Sequence, residues 1–163
     1  MEGWFIPGVS PIKTCDVHRE VLVDIASGLR IPIDDGTRQL KREVYEFWPS
    51  ELLAVFEQAG APRKVPPPFL PGTAAEFGNR SGMAPRIVAP SNGSKIVLAS
   101  ASTIPLRAKT DADVREIYWF ADKAFIGKCE PREVLSWKST PGDYELTALD
   151  DQGRACSCKV VVR

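Results

Sequence analysis

The stretch from Glu116 to Leu146, EIYWFADKAFIGKCEPREVLSWKSTPGDYEL, constrains the fold more than any other part of the chain. At a period of two, Ile117 and Trp119 fall on one face of a strand, with Glu116, Tyr118 and Phe120 on the other. Ala121, Asp122 and Lys123 make a tight turn. Phe125 and Ile126 then resume an apolar strand that Gly127 is expected to end. Pro141 and Gly142 signal a second turn, after which Tyr144, Leu146 and Ala148 alternate with Asp143, Glu145 and Thr147. Short strands with aromatic anchors and turn residues every ~8–12 positions are the pattern of an all-β sandwich.

The same punctuation runs on either side. Arg86 to Ala89 reads as a strand, Pro90 to Gly93 as a turn, and Lys95 to Ser100 and Ile104 to Lys109 as two further strands. Arg154 to Val162 closes the set. Residues 84–163 are therefore expected to form an immunoglobulin-like β-sandwich of seven or eight strands. The Cys…Trp…Cys spacing of antibody domains is absent, so that likeness is architectural.

Ahead of it, residues 1–60 read as a small α+β segment, a hairpin plus one short helix. Prolines and a glycine break residues 1–14 into an extended arm. Val17 to Asp24 alternates loosely, Ser27-Gly28 turns the chain, and Leu29 to Ile33 is the expected partner strand, stopped by Asp34-Asp35-Gly36. Lys41 to Trp48 is mixed and suggests no element. ELLAVFEQAG then gives a helix with Leu52, Leu53, Phe56 and Ala59 on one stripe and Gly60 as its stop. Residues 61–83, rich in proline and glycine, read as a linker, with a domain boundary near Ala84.

Charge excludes several partner classes. The chain carries 21 basic and 21 acidic residues; residues 84–163 hold 12 and 10 of them, leaving 9 and 11 for residues 1–83. Neither part has the positive excess of a nucleic-acid binder. No run of 18 apolar residues offers a membrane span, and the first residues lack the charged and apolar regions of a signal peptide. No cofactor motif is present. Cys156 and Cys158 share a strand face with Val160 and Val162, so they read either as small core residues or as partners for a disulfide from Cys129 in an oxidising compartment. Cys15 completes the set. A zinc site is disfavoured, because His18 is the only histidine and C-x-C is too close a spacing.

Candidate chemistry is sparse. Ser10-Pro11-Ile12-Lys13 matches the S-x-x-K nucleophile motif, but no S-x-N or K-[ST]-G element follows it, so the match reads as chance. His18 with Asp16 or Asp24 is conceivable as an acid–base pair, and as a surface residue otherwise. Asp34-Asp35 and Asp150-Asp151 precede glycines and read as turn chemistry. Asn79-Arg80-Ser81 and Asn92-Gly93-Ser94 fit a glycosylation pattern and equally fit turns. Tyr118, Phe120, Trp137 and Tyr144 are the candidate binding residues, because strand alternation prevents all four from entering one core.

Longer runs are more specific. WFIPGVSPIKTCDVHREVLVD, YEFWPSELLAVFEQAGAPRKVPPP, PRIVAPSNGSKIVL and YWFADKAFIG together resemble the C-terminal end of the penicillin-binding protein 1C family, over nearly the whole chain. Trp4 to Pro11, Trp48-Pro49-Ser50 and Trp119-Phe120 are its strongest markers. The resemblance implies a bifunctional peptidoglycan synthase: an inner-membrane anchor, a periplasmic location, a glycosyltransferase domain acting on lipid-linked disaccharide-pentapeptide, and a transpeptidase domain. Residues 1–60 would then follow the transpeptidase domain, and residues from Pro85 onward would form the family's small C-terminal domain. None of the family's catalytic motifs lies in this stretch, so no catalytic residue is carried over. By the same resemblance the chain is a piece of a longer protein, and a disulfide partner for Cys15 would lie upstream. The implied partners are the upstream transpeptidase domain, peptidoglycan, and an alpha-macroglobulin-like envelope protein. The alternative function is a carbohydrate-binding module that grips glycan strands through exposed aromatics.

Overall fold

A computed structural model describes residues 15–73, 82–98 and 103–163. The N-terminal part begins with β1 (His18–Asp24), which turns through Gly28 into the two-residue β2 (Arg30–Ile31). Its principal partner is β3 (Leu40–Glu46), matched to β1 at seven positions from His18↔Glu46 to Asp24↔Leu40. This strand lies in the stretch that suggested no element. Its solvent-exposed face carries Arg42 and Val44, while Lys41 and Glu43 share the face of Tyr45 and pair their opposite charges at 2.9 Å. From the exposed face Arg42 reaches Glu20 of β1 at 2.7 Å. Only Tyr45 is fully buried, so the apolar half of the alternation is missing.

Helix α1 (Ser50–Gln58) follows, and Gly60, at φ 70°, ends its turn. Leu53 is its buried apolar anchor and Phe56 packs edge-on to Trp48 at 5.3 Å, while Leu52 and Ala59 are exposed. The buried stripe is thus narrower than the four-residue one expected. Glu51, in the first turn where the helix dipole favours a carboxylate, contacts Lys109 and Arg107. Val23, Tyr45, Phe47, Leu53 and Ala112 form a small core here.

The sandwich comprises β4 (Arg86–Ala89), β5 (Ser94–Ile96), β6 (Ile104–Lys109), β7 (Ile117–Ala121), β8 (Ala124–Cys129), β9 (Leu135–Trp137), β10 (Gly142–Asp150) and β11 (Ala155–Val162). The order β5-β11-β10-β7-β8 makes one sheet, and β4-β6-β9 makes the other. All pairings are antiparallel except β5 with β11. This is an immunoglobulin-like sandwich, and the protein is mainly β. Alternation places Ile117, Trp119 and Ala121 of β7 and Leu146 and Ala148 of β10 opposite Ile104 and Leu106 of β6, with Trp119 fully buried at the centre. Cys158, Val160 and Val162 complete the layer from β11.

The β7–β8 turn lies at Asp122-Lys123. Asp122 adopts φ 53°, a left-handed conformation that aspartate tolerates, and its carboxylate and amide both bond Glu145 of β10. Beyond it β8 does not stop at Gly127 but continues to Cys129. The missing side chain at Gly127 leaves room for Leu135 of β9, whose methyl carbons lie 3.3 Å from where a Cβ would stand.

Candidate functional site

The most unusual chemistry of the molecule sits in the loop between β6 and β7, Thr110 to Glu116. Asp111 and Asp113 are buried there, flanking Ala112, which completes the small N-terminal core. Three arginines converge on them. Arg19 from β1 donates to Asp111 at 2.7 Å. Arg30 from β2 donates to Asp113 at 3.2 Å. Arg154, just before β11, reaches Asp113 and Asp150 at 2.7 Å each and lies 3.9 Å from Asp111. Three carboxylates thus balance three guanidinium groups, the condition under which charge tolerates burial.

The two innermost cations differ instructively. Burial opposes the charge on Arg154, but Asp113 and Asp150 more than offset it, and its pKa is raised. Arg30 has Asp113 as its carboxylate partner among the described residues, burial dominates, and its pKa is lowered. Phe69 and Phe47 cover the Arg30 guanidinium at 3.7 and 5.8 Å, the geometry of cation–π contact. Gly82 closes the top. At φ 109° its bare Cα sits so close to Arg154 that an added Cβ would lie 2.1 Å from a guanidinium nitrogen.

Hydrogen bonds reinforce this junction. The Ser50 amide of α1 donates to the Thr110 carbonyl at 3.0 Å, and the Thr110 amide donates to the Ser50 hydroxyl at 3.3 Å. The segment from residue 61 to residue 73, read as the first half of a linker, lies against it: Arg30 and Leu70 pair with Pro68 and Arg30 carbonyls, and Arg115 donates to the Pro66 carbonyl. None of the cluster's arginines or its two loop aspartates is singled out by the sequence reading. The available signal was the alternation of acid with small apolar residues in TDADV, which places carboxylates beside a core.

The four candidate aromatics divide between two surfaces. Tyr118 and Phe120 are half-buried on the outer face of the larger sheet, where Phe120 packs on the exposed Phe125 at 5.6 Å. Tyr118 donates to Glu116, which also holds Lys128, both at 2.6 Å. Trp137 instead points inward, only 8% exposed, and meets Tyr144 edge-on at 5.0 Å. Tyr144 contacts Thr140 through its hydroxyl. These two line a cleft of about 800 Å³ that opens between β8 and β9.

All four cysteines are free thiols. A Cys129 bridge to Cys156 or Cys158 does not suit this fold: β7 and β10 separate β8 from β11, so three strand spacings hold them roughly 14 Å apart, against the about 7 Å that a disulfide spans. Burial pushes the thiols of Cys129, Cys156 and Cys158 up, as for inert core residues. His18 pairs with neither Asp16 nor Asp24. It lies 3.2 Å from the Cys15 thiol, whose pKa its backbone amide and ring lower, and 4.0 Å from Glu46. Asp24 is engaged by Ser27. Asp34, Asp35 and Asp150 accept bonds from the amides of their own turns. Ser10, Lys13 and Asn79 to Ser81 lie outside the described residues, and Asn92 accepts from the Lys159 amide. Among the described residues, no group of three or more His, Cys, Asp or Glu side chains is arranged to hold a metal ion, and no helix is long and apolar enough to cross a membrane.

No curated protein matches the chain. Among solved structures, one titled "Structures of Clostridium thermocellum CbhA fibronectin(III)-like modules" is similar over 48% of this chain and 93% of that one, at 17% identity and a TM-score of 0.39. The sequence pattern of the Penicillin-Binding Protein C-terminus Family matches residues 74–162, more than half of the chain, and the protein belongs to that family.

Proposed function

We propose that this chain is the non-catalytic C-terminal region of a periplasmic peptidoglycan synthase of the penicillin-binding protein 1C type. It braces the transpeptidase domain that precedes it and presents a surface to envelope proteins, an alpha-macroglobulin-like protein among them, or to the cell wall. The observation that carries the reading is the buried cluster of Arg19, Arg30 and Arg154 with Asp111, Asp113 and Asp150. It ties the segment that would adjoin the upstream domain to the sandwich through contacts that cannot slide. A sandwich on a free tether would need none of them. The cluster's buried ionisable groups are spent on one another, which supports a mechanical role over a catalytic one. In the full-length synthase, deletion of residues 84–163 is expected to lower the melting temperature of the transpeptidase domain. An unchanged melting temperature together with unchanged crosslinking activity would sink the brace.

One observation favours a second reading, glycan-strand binding. Tyr118, Phe120 and Phe125 share the outer face of the larger sheet with the hydroxyls of Thr147 and Ser157, which bond each other at 2.8 Å. Rings beside a row of hydroxyls offer stacking and hydrogen bonds to a sugar chain. Co-sedimentation with purified peptidoglycan tests it: retention should fall for Phe125→Ala and Tyr118→Ala, and a wild-type chain that stays in the supernatant removes the idea.

A further inference from the structure

Two strand edges face each other across the cleft. Among the described residues, β8 is the last strand of the larger sheet and β9 the last strand of the smaller one, so each has one unpaired backbone edge. The two close together where Leu135 fills the space left by Gly127, and they part toward the β7–β8 turn and the β9–β10 loop. The gap runs between Ala124 to Ile126 on one side and Ser136 to Lys138 on the other.

An unpaired edge is a template for another strand, and proteins normally shorten, cover or charge it. Here the edges carry more than protection. The cleft is lined by Trp137 and Tyr144, Phe125 is 58% exposed at its mouth, and the Ser139 hydroxyl beside it is buried with no hydrogen-bond partner among the described residues. Lys123 and Lys138 line the same cleft, and neither has a carboxylate partner among the described residues. The acid there, Asp122, is already bonded to the Glu145 amide. The lining thus sets two cations against one carboxylate, a net positive charge over an apolar floor between two strand edges.

We propose that the gap between β8 and β9 is a strand-addition site for an extended acidic peptide segment of a partner protein. Main-chain bonds to the edge strands would supply affinity. Alternate side chains would enter the Trp137–Tyr144 cleft while the acidic ones meet Lys123 and Lys138. The site shares no residue with the buried ionic cluster, so it stands or falls separately from the brace.

The test is an NMR titration of the isotope-labelled chain with a peptide of about eight residues alternating glutamate and valine, long enough to span the gap at ~3.4 Å per residue. A lysine–valine counterpart and a glucuronate oligosaccharide serve as the other probes. The acidic peptide is expected to shift the amides of Ala124 to Ile126 and Ser136 to Lys138 to saturation, and the basic one to leave them in place. A Lys123→Glu/Lys138→Glu chain, folded by circular dichroism, should bind the acidic peptide at least about tenfold more weakly, because both lost pairs lie at the rim of one contact. The proposal is overturned if these amides do not move at millimolar peptide, if both peptides act alike, or if the double variant binds unchanged. Equal shifts from the glucuronate oligosaccharide would assign the cleft to acidic glycans and also overturn it.

Discussion

Asp113→Asn is the sharpest probe of the junction, because shape is kept and one charge is removed. Asp113 is 5% exposed and serves both Arg154 at 2.7 Å and Arg30 at 3.2 Å. Arg154 retains Asp150 and Asp111. Among the described residues Arg30 keeps only the rings of Phe69 and Phe47, worth about 0.5–2 kcal/mol, against a side chain that is 6% exposed. Removing one partner of a buried pair costs about 3–5 kcal/mol, out of a total stability of about 5–15 kcal/mol. Since the amide oxygen of asparagine still accepts one bond, the expected loss is about 3 kcal/mol, or a urea midpoint lower by about 1.5 M at a slope of about 2 kcal/mol/M. Urea unfolding followed by tryptophan emission reads this directly. A loss below about 1 kcal/mol would refute the reasoning, because a pair that exposed charges can replace is worth no more than that. The companion variant, Arg30→Met with Asp113→Leu, removes both charges and should recover most of the Arg30 share of the loss.

Gly82→Ala should cost about 3 kcal/mol or more, from a left-handed φ and a clash with the Arg154 guanidinium, read as a lowered midpoint; a neutral result would mean that the loop does not close over the arginine. The Tyr45 hydroxyl, at 2.6 Å and aided by Lys41 and Lys64, holds the Glu43 carboxyl down at about 2. A depressed acid contributes stability above its ordinary range, and that contribution is lost as pH falls from about 4.5 toward 2. Midpoints at pH 7 and pH 3 should therefore differ less in Glu43→Gln than in the wild type, and an equal difference removes Glu43 as a cause. Trp137→Ala should destabilise the sandwich by about 3–5 kcal/mol, since the ring is core, so a loss of ligand retention in that variant would have to be separated from unfolding by its circular dichroism.

Strands were legible where one face is apolar and the other polar. β7 and β10 alternate cleanly because one side meets the core and the other meets water, and Asp122-Lys123 turns between β7 and β8 as its residue types require. β3 was not legible, because its pairing rests on backbone bonds and on ion pairs such as Arg42 with Glu20, which leave no apolar period. The inward orientation of Trp137, only 8% exposed, was not legible. A three-residue strand carries too little alternation to show which face a ring takes. The cluster of arginines and aspartates was invisible for a different reason. Asp111 and Asp113 lie 92 and 83 positions from the β-strand arginines they bind, and a single sequence contains no trace of a pairing that only the docking of two sheets creates.

That docking bears on where the protein can be cut. The N-terminal core has five buried residues, and one of them, Ala112, belongs to the sandwich's own loop. Without Ala112 and the two aspartates beside it, a three-stranded sheet and a two-and-a-half-turn helix keep five buried apolar side chains, Val23, Ile31, Tyr45, Phe47 and Leu53, and two arginine–aspartate contacts lose their acid. So little apolar burial does not offset the conformational entropy of ordering about forty residues. The composition change near Ala84 marks where proline and glycine give way to strands, whereas the energetics place the N-terminal sheet and the sandwich in one cooperative unit. A chain truncated before Arg86 should then show little cooperative unfolding and weak tertiary signals, even though most of its own residues are present. A sharp transition in that truncated chain would show that the N-terminal sheet folds without the β6–β7 loop, and the buried cluster would then be a contact between finished parts rather than the centre around which they form.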